Sequence, residues 1–153
     1  RNREEVLMTR HRHLAALGVA AALLSLTVVA AEMPRSAAPE GARLYFITPQ
    51  DGDTVPATFT VRFGLDGMGV APAGVDHPNT GHHHLLIDVA EDEIPMDRPL
   101  PATERFVHFG GGQTETQVTL EPGQHTLTLL LGNHLHIPHD PPVMSETITV
   151  TVE

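Results

Sequence analysis

The sequence has no cysteine, no tryptophan and no lysine among its 153 residues. Without cysteine the chain forms no disulfide bond, offers no thiolate to a metal ion and carries no lipid on a thiol beside an export signal. The cysteine and tryptophan hallmarks of antibody domains are absent as well. The hydrophobic content of 41% is nevertheless enough for the core of one compact domain.

Positive charge is also scarce. From Glu32 onward, five arginines face seventeen acidic residues, which gives a net charge of −12 with neutral histidines. Nucleic-acid binding needs many cations to neutralise phosphates, so this composition excludes a nucleic-acid partner. The same negative field favours cationic partners, metal ions among them.

The N-terminal segment predicts export. Met8 is the expected start, and a basic stretch with two arginines precedes an uncharged, mostly apolar run over 14–31 that ends in small residues. This is the pattern of a secretory signal peptide over 8–31, and we expect a periplasmic or secreted protein. The alternative is an uncleaved membrane anchor, which would be the chain's only membrane contact. The Pro-, Ala- and Gly-rich residues 32–42 read as a linker, and the domain is expected over 43–153.

The rest of the sequence predicts an all-β domain. Apolar and polar residues alternate in short runs separated by Gly, Pro, Asp and Asn, and no window keeps a helical period. Seven strands in about 110 residues are typical of an immunoglobulin-like antiparallel sandwich. A Greek-key barrel or a jelly roll is the alternative. The strands are expected near 43–48, 57–65, 82–89, 104–109, 114–120, 124–131 and 145–152.

The histidines are unevenly distributed. Nine of the eleven follow the export segment, and eight of these lie in three short clusters: His77 with His82, His83 and His84; His108; and His134, His136 and His139. In a seven-strand sandwich, the connections that carry these clusters emerge at the same end. His125 falls at the opposite end and is expected to be exposed.

Strand alternation refines the expected site. If Leu85, Ile87 and Val89 face the core, His82 and His84 point to the other face, because alternate residues of a strand share a side. His134 and His136 have the matching parity at the end of the neighbouring strand. The sequence therefore predicts a metal site drawn from these histidines and two further candidates, the full set being His82, His84, His134, His136, His139 and His108.

Four other residues are possible contributors to that site. His83 has core-facing parity, so a structural role is favoured, and His77 lies in the same connection as the histidine triplet. Asp140 is placed to orient an imidazole by hydrogen bonding, and Met68 could act as a soft axial ligand. Ligation by nitrogen without thiolate suits Cu(II) or Zn(II), and the affinity order favours a copper ion over a zinc ion.

The chain resembles a known family of exported bacterial proteins. The stretch Gly64 to Gly74, the segment Asn79-Thr-Gly-His-His-His-Leu-Leu-Ile-Asp88, the motif His108-Phe-Gly-Gly-Gly and the stretch Leu131 to Met144 are similar to the family called domain of unknown function 4399. The resemblance covers essentially 43–153. It implies a periplasmic or secreted location and no established activity.

Three functions remain open at this point. The first is an exported metal-binding protein that buffers copper, or zinc, or delivers it to a periplasmic partner protein. The second is a copper-dependent redox enzyme with activity like that of superoxide dismutase, for which the sequence indicates no catalytic residues beyond the ligands. The third is an accessory module whose histidines bind a partner or respond to pH.

Overall fold

A computed structural model describes residues 33–153, so the predicted export segment over 8–31 lies outside the described residues. The described part is built from β-strands with one 3₁₀ turn, Glu91–Glu93. No helix among residues 33–153 has the length and hydropathy to cross a membrane. The strands are β1 (Arg43–Thr48), β2 (Thr54–Val55), β3 (Thr58–Asp66), β4 (Gly69–Val70), β5 (Thr80–Ile87), β6 (Phe106–His108), β7 (Glu115–Thr119), β8 (Gly123–Gly132) and β9 (Ile148–Val152).

The strands form two sheets. The smaller sheet has the order β1-β3-β7 and is antiparallel. The larger sheet has the order β2-β9-β8-β5-β4, and β6 also pairs with β5. Both orders stay open and neither sheet closes into a barrel. The predicted all-β fold is confirmed as an immunoglobulin-like sandwich. Two short additional strands, β2 and β4, pair in parallel with β9 and β5, so the larger sheet is mixed and not purely antiparallel as expected.

The core between the sheets follows the alternation of side chains along the strands. Alternate apolar residues are buried at the centre of β3 and in the second half of β8, as the sequence predicts. Each fully buried aliphatic side chain contributes about 1.5–3 kcal/mol through the hydrophobic effect. The central members of this core are Phe59, Val61, Phe63, Leu85, Ile87, Leu127, Leu129, Leu131, Ile148 and Val150.

The outer face of the larger sheet is covered by protein over β5 and the second half of β8. The segment between β5 and β6 folds back over this face and forms a second apolar cluster of Leu86, Val89, Leu100, Phe106 and Leu130. The expectation that Val89 joins Leu85 and Ile87 in the central core was wrong. Asp88 has a positive φ of 53°, which ends the regular alternation one residue earlier.

Residues just before the first strand are attached to the connection between β8 and β9. Ala37 forms a parallel bridge with Asp140, and the amide of Ala38 donates a hydrogen bond to the Asp140 carbonyl (3.1 Å). The Arg35 guanidinium donates hydrogen bonds to the carbonyls of Pro138 (3.1 Å) and His139. Composition alone gave no sign of these contacts, which tie part of the expected linker over 32–42 to the histidine-bearing end of the domain.

Candidate metal centre

His82 and His84 lie on the outer face of β5 because they are two residues apart in a strand. Each sits opposite a residue of a neighbouring strand: His82 pairs with Gly132 in β8, and His84 pairs with His108 in β6. The rings of His84 and His108 stack with centroids 5.1 Å apart. Sheet pairing therefore fixes three imidazoles at one end of the larger sheet.

The fourth imidazole, that of His136, reaches the same place from the loop after β8. Asn133 organises this loop: its Oδ1 accepts hydrogen bonds from the amides of Leu135 (2.9 Å) and Ile137 (3.0 Å). His136 then adopts a positive φ of 66°, which is uncommon for a residue with a side chain. Its ring forms a hydrogen bond with that of His82, between Nδ1 and Nε2 respectively, at 3.0 Å.

Two glycines leave room for the imidazoles. A Cβ atom at Gly132 would lie 2.6 Å from Cε1 of His84, and one at Gly110 would lie 2.6 Å from Cε1 of His108. Real Cβ contacts are not that short, so a side chain at either position would displace a ring. Gly110 lies just after β6, which carries His108, and Gly132 precedes the loop that carries His136. The observed positions of the imidazoles therefore require glycine at both places.

The four rings converge on one small volume. We define the histidine cluster as His82, His84, His108 and His136; one ring nitrogen from each lies within 4.8 Å of the others. Four nitrogens bound to one ion at about 2.0–2.1 Å lie about 3.3 Å apart in a tetrahedron and up to about 4.2 Å apart in a plane. The observed spacing therefore needs a contraction of less than about 1.5 Å to hold one ion.

Burial favours the neutral form of three of the four imidazoles, those of His82, His84 and His136. Removal from water, together with the neighbouring imidazoles, lowers the pKa of His82 to about 4 and that of His84 to about 3. Burial also lowers the pKa of His136. A metal ion binds the neutral imidazole, so little proton competition opposes binding at pH 7.

Three ring nitrogens of the cluster have no hydrogen-bond partner within the described residues: Nδ1 of His82, Nδ1 of His84 and Nε2 of His108. Buried polar groups are nearly always paired, and leaving one unpaired costs about 1–3 kcal/mol. In this cluster, three such unpaired nitrogens lie close together. A ligand that takes nitrogen lone pairs would remove it.

His83 and His139, which share the histidine-rich segments, lie outside the cluster. His83 faces the core between the sheets, where its ring is 5.0 Å from that of Phe63, in agreement with its parity. His139 is buried, and its Nδ1 and Nε2 lie 3.3 Å and 3.2 Å from the carbonyl oxygens of Leu131 and Thr80. That ring joins the ends of β5 and β8.

The other residues predicted for the site also lie outside the cluster. His134 is partly exposed, with Nδ1 3.5 Å from a carboxylate oxygen of Asp76. His77 is exposed and lines the same cavity as His134. Asp140 is exposed and pairs with Arg35 at 3.5 Å, so it orients no imidazole, and Met68 packs against the core between the sheets. The residues that sequence reasoning missed are Asn133, Gly110 and Gly132.

His125 differs from its expected exposed state. At the far end of β8 its Nδ1 bonds a carboxylate oxygen of Asp88 (2.7 Å) and its Nε2 bonds the carbonyl of Glu121 (2.9 Å). The hydrogen bond to Asp88 raises the pKa of His125. This histidine is a structural ion-pair member, remote from the cluster.

The comparisons with known proteins agree with the sequence resemblance. The family model described as Domain of unknown function (DUF4399) matches residues 61–153, which include all four histidines of the cluster. No curated protein and no solved structure matches the chain. The match covers more than half of the sequence, and the chain belongs to the DUF4399 family.

Proposed function

We propose that this chain is an exported protein that binds a transition-metal ion, copper before zinc, at His82, His84, His108 and His136. The observation that carries the proposal is the convergence of four imidazole nitrogens within 4.8 Å of one another. Such a group, drawn from two strands and a loop, has no role in packing the core between the sheets.

The donor set determines which ions fit. Imidazole suits copper, zinc, nickel and iron, whereas calcium and magnesium require oxygen ligands. Among divalent ions the affinity of a nitrogen site peaks at Cu(II). Copper is therefore the expected occupant where it is available, and zinc is the alternative.

The surface charge supports uptake of a cation. The part of the chain from Glu32 onward has a net charge of −12, and such a field raises the local concentration of positive ions. The signal-like segment over 8–31 would place the domain in the periplasm or outside the cell, where metal ions first meet the cell's proteins. Location and cargo are thus consistent with each other.

Buffering or delivery fits the site better than catalytic turnover does. Four protein ligands fill the four positions of a tetrahedral ion, whereas catalytic sites keep one position open. His82 and His84 are buried, so an ion would be reached only past the partly exposed His108 and His136. A dismutase-like enzyme would require one of the latter two ligands to leave the ion.

A pH-sensitive histidine surface fits less well. His82 and His84 are buried and not displayed, and their pKa values of about 4 and about 3 keep them neutral across pH 5–8. A partner protein would therefore have no direct access to the His82 and His84 rings. The neutral, inward-facing rings favour a metal ion.

The proposal is tested by titrating the purified, untagged protein with Cu(II), Zn(II) and, under reducing conditions, Cu(I). Stoichiometry comes from elemental analysis, affinity from calorimetry with a competing chelator, and ligand type from nitrogen coupling in the electron paramagnetic resonance spectrum of the Cu(II) form. We expect His84→Ala and His136→Ala each to reduce the affinity of the tightest class of ions strongly.

The matched control is His83→Leu, which removes a histidine from between the two β5 ligands but from the opposite face of the strand. It should leave the tightest class unchanged. Equal affinity in wild type, His84→Ala and His136→Ala would overturn the proposal. A dismutase assay on the copper-loaded protein against free copper separates storage from turnover.

A further inference from the structure

A polar cavity lies beside the histidine cluster, on the other side of the loop after β8. Its volume is about 270 Å³, and its lining includes Asp76, His77, Thr80, Asn133 and His134. His134 and His136 are separated by one residue, yet the former faces this cavity while the latter joins the cluster. The same short loop therefore contributes one histidine to the cavity and another to the histidine cluster.

The loop between β4 and β5 brings the remaining groups to this cavity. The amide of Gly74 donates a hydrogen bond to the carbonyl of His134 (3.0 Å), and the Thr80 hydroxyl donates one to the carbonyl of His77 (2.8 Å). The first bond joins the segment 74–80 to the loop that carries His134, and the second lies within the segment. Asp76 consequently lies beside that imidazole and His77 lines the same cavity, although both are far from His134 in sequence.

Each imidazole of the cavity has an oxygen atom near its Nδ1, and the one beside His77 is close enough to form a hydrogen bond. Nδ1 of His77 lies 3.0 Å from the carbonyl of Pro78, and Nδ1 of His134 lies 3.5 Å from a carboxylate oxygen of Asp76. An oxygen acceptor on one ring nitrogen fixes the tautomer that presents a lone pair on the other.

From these contacts we propose that Asp76, His77 and His134 form a second, weaker and exchangeable site for the same transition-metal ion. The inference rests on the proposed function, since a docking site next to the cluster has a use only if the cluster holds the ion. The cavity is open and its side chains are largely exposed, so capture is quick and release is easy. Passage to the cluster then requires movement across one loop.

Weaker binding follows from the geometry. Among the described residues, the histidine cluster is the group whose ligand atoms already lie within a few ångströms of one another, whereas the ligands of the cavity must be drawn together by the ion. Ordering exposed side chains costs free energy, about 0.5–1.5 kcal/mol for each one immobilised. Water molecules would complete the coordination in so open a place.

The experiment is a calorimetric titration of the full chain with Zn(II) and Cu(II), compared with two double variants and one single variant. We expect wild type to bind two equivalents in two affinity classes. His77→Ala/His134→Ala should lose the weaker class and keep the tighter one, and His82→Ala/His84→Ala should lose the tighter class. Asp76→Asn should weaken only the weaker class, by about 10-fold to 100-fold.

The outcomes separate the two proposals. One equivalent in wild type, lost in His82→Ala/His84→Ala and unaffected in His77→Ala/His134→Ala, would overturn the second site and leave the proposed function standing. Two unchanged equivalents in His82→Ala/His84→Ala would overturn the proposed function instead. Circular dichroism in chelator checks folding; the cavity variants alter exposed or partly exposed residues and should match wild type.

Discussion

His84 of β5 and His108 of β6 face each other directly across an antiparallel pair, with ring planes 25° apart. β6 is only three residues long, and this pairing holds it against the sheet at the position of the histidine cluster. The relationship joins fold and site, because the residue that extends the sheet also completes the cluster. Changes at the cluster should therefore alter both metal affinity and stability.

Metal should stabilise the folded protein through the histidine cluster. A ligand that binds only the native state adds about 2.7 kcal/mol when present at one hundred times its dissociation constant. We expect Cu(II) or Zn(II) at that excess to raise the midpoint of thermal unfolding of wild type, and to raise that of His84→Ala much less. Differential scanning calorimetry with and without chelator measures both shifts; equal shifts in the two proteins would contradict the ligand role of His84.

Gly132→Ala should damage the cluster. The new methyl group would lie 2.6 Å from Cε1 of His84, and such crowding costs about 1–3 kcal/mol. We expect lower stability in urea and weaker metal binding. Gly69→Ala is the matched control, because its methyl group would meet nothing closer than 3.4 Å. Similar losses in both variants would show that the effect is not specific to the His84 ring.

His83→Leu should make the protein more stable. The His83 ring is buried, neither of its nitrogens has a hydrogen-bond partner in the described part of the chain, and such unpaired polar groups cost about 1–3 kcal/mol. Leucine has a similar volume and fits among Phe63 and the surrounding apolar side chains. Urea denaturation at pH 7 measures the gain, and a less stable variant would refute this account of the ring.

His83 should also make wild type sensitive to acid. Burial lowers its pKa from 6.5 to about 4, so between these values the unfolded chain binds more protons than the folded one. Stability therefore falls as the pH drops from about 6.5 towards about 4. We expect the advantage of His83→Leu to be larger at pH 5 than at pH 7, as measured by unfolding in the presence of chelator.

The ion pair of His125 and Asp88 should show the opposite dependence on pH. Its hydrogen bond raises the pKa of His125 in the folded state, so its contribution is complete below the unfolded value of 6.5 and is lost as the pH rises through the folded pKa. His125→Ala should therefore destabilise the protein more at pH 5.5 than at pH 8.5. Partly exposed pairs contribute up to about 1 kcal/mol. A loss independent of pH would contradict this pairing.

Asn133→Ala should weaken metal binding without removing a ligand. The Oδ1 atom of Asn133 accepts two backbone hydrogen bonds in the loop that carries His136, and its Nδ2 donates one to Ser36 (3.1 Å). Losing the acceptor leaves two amides unpaired and lets the His136 backbone relax. Asn133→Asp keeps the acceptor and is the control. Calorimetry should show weaker binding for Asn133→Ala than for Asn133→Asp.

The sequence predicts the strands well because alternation and turn residues dominate locally. β1 begins and ends where expected, and β3, β7 and β8 differ by one residue at each end or less. Parity also puts His82 and His84 on the outer face of β5. Burial of that face was not foreseen, since the segment that covers it is held by contacts distant in sequence, such as the hydrogen bond from the Leu100 amide to the His136 carbonyl (2.9 Å).

Strand parity does not predict the conformation of the loop after β8. Continued alternation would give His134 and His136 the same direction, but the turn organised by Asn133 sends them to different places. Asn133 follows Gly132 and precedes a histidine-rich loop, which is a recognisable turn signal. Its hydrogen-bond partners and the positive φ of His136 depend on tertiary contacts that no local pattern encodes.

His82 and His136 of the histidine cluster are 54 residues apart in a chain that has no cysteine. An ion that bridges them would act as a reversible cross-link closing a long loop, the task that disulfide bonds perform in many secreted proteins. In the chain-entropy treatment a covalent tie of that span is worth about 4 kcal/mol. The concentration of the available ion would then determine the stability of this end of the sandwich.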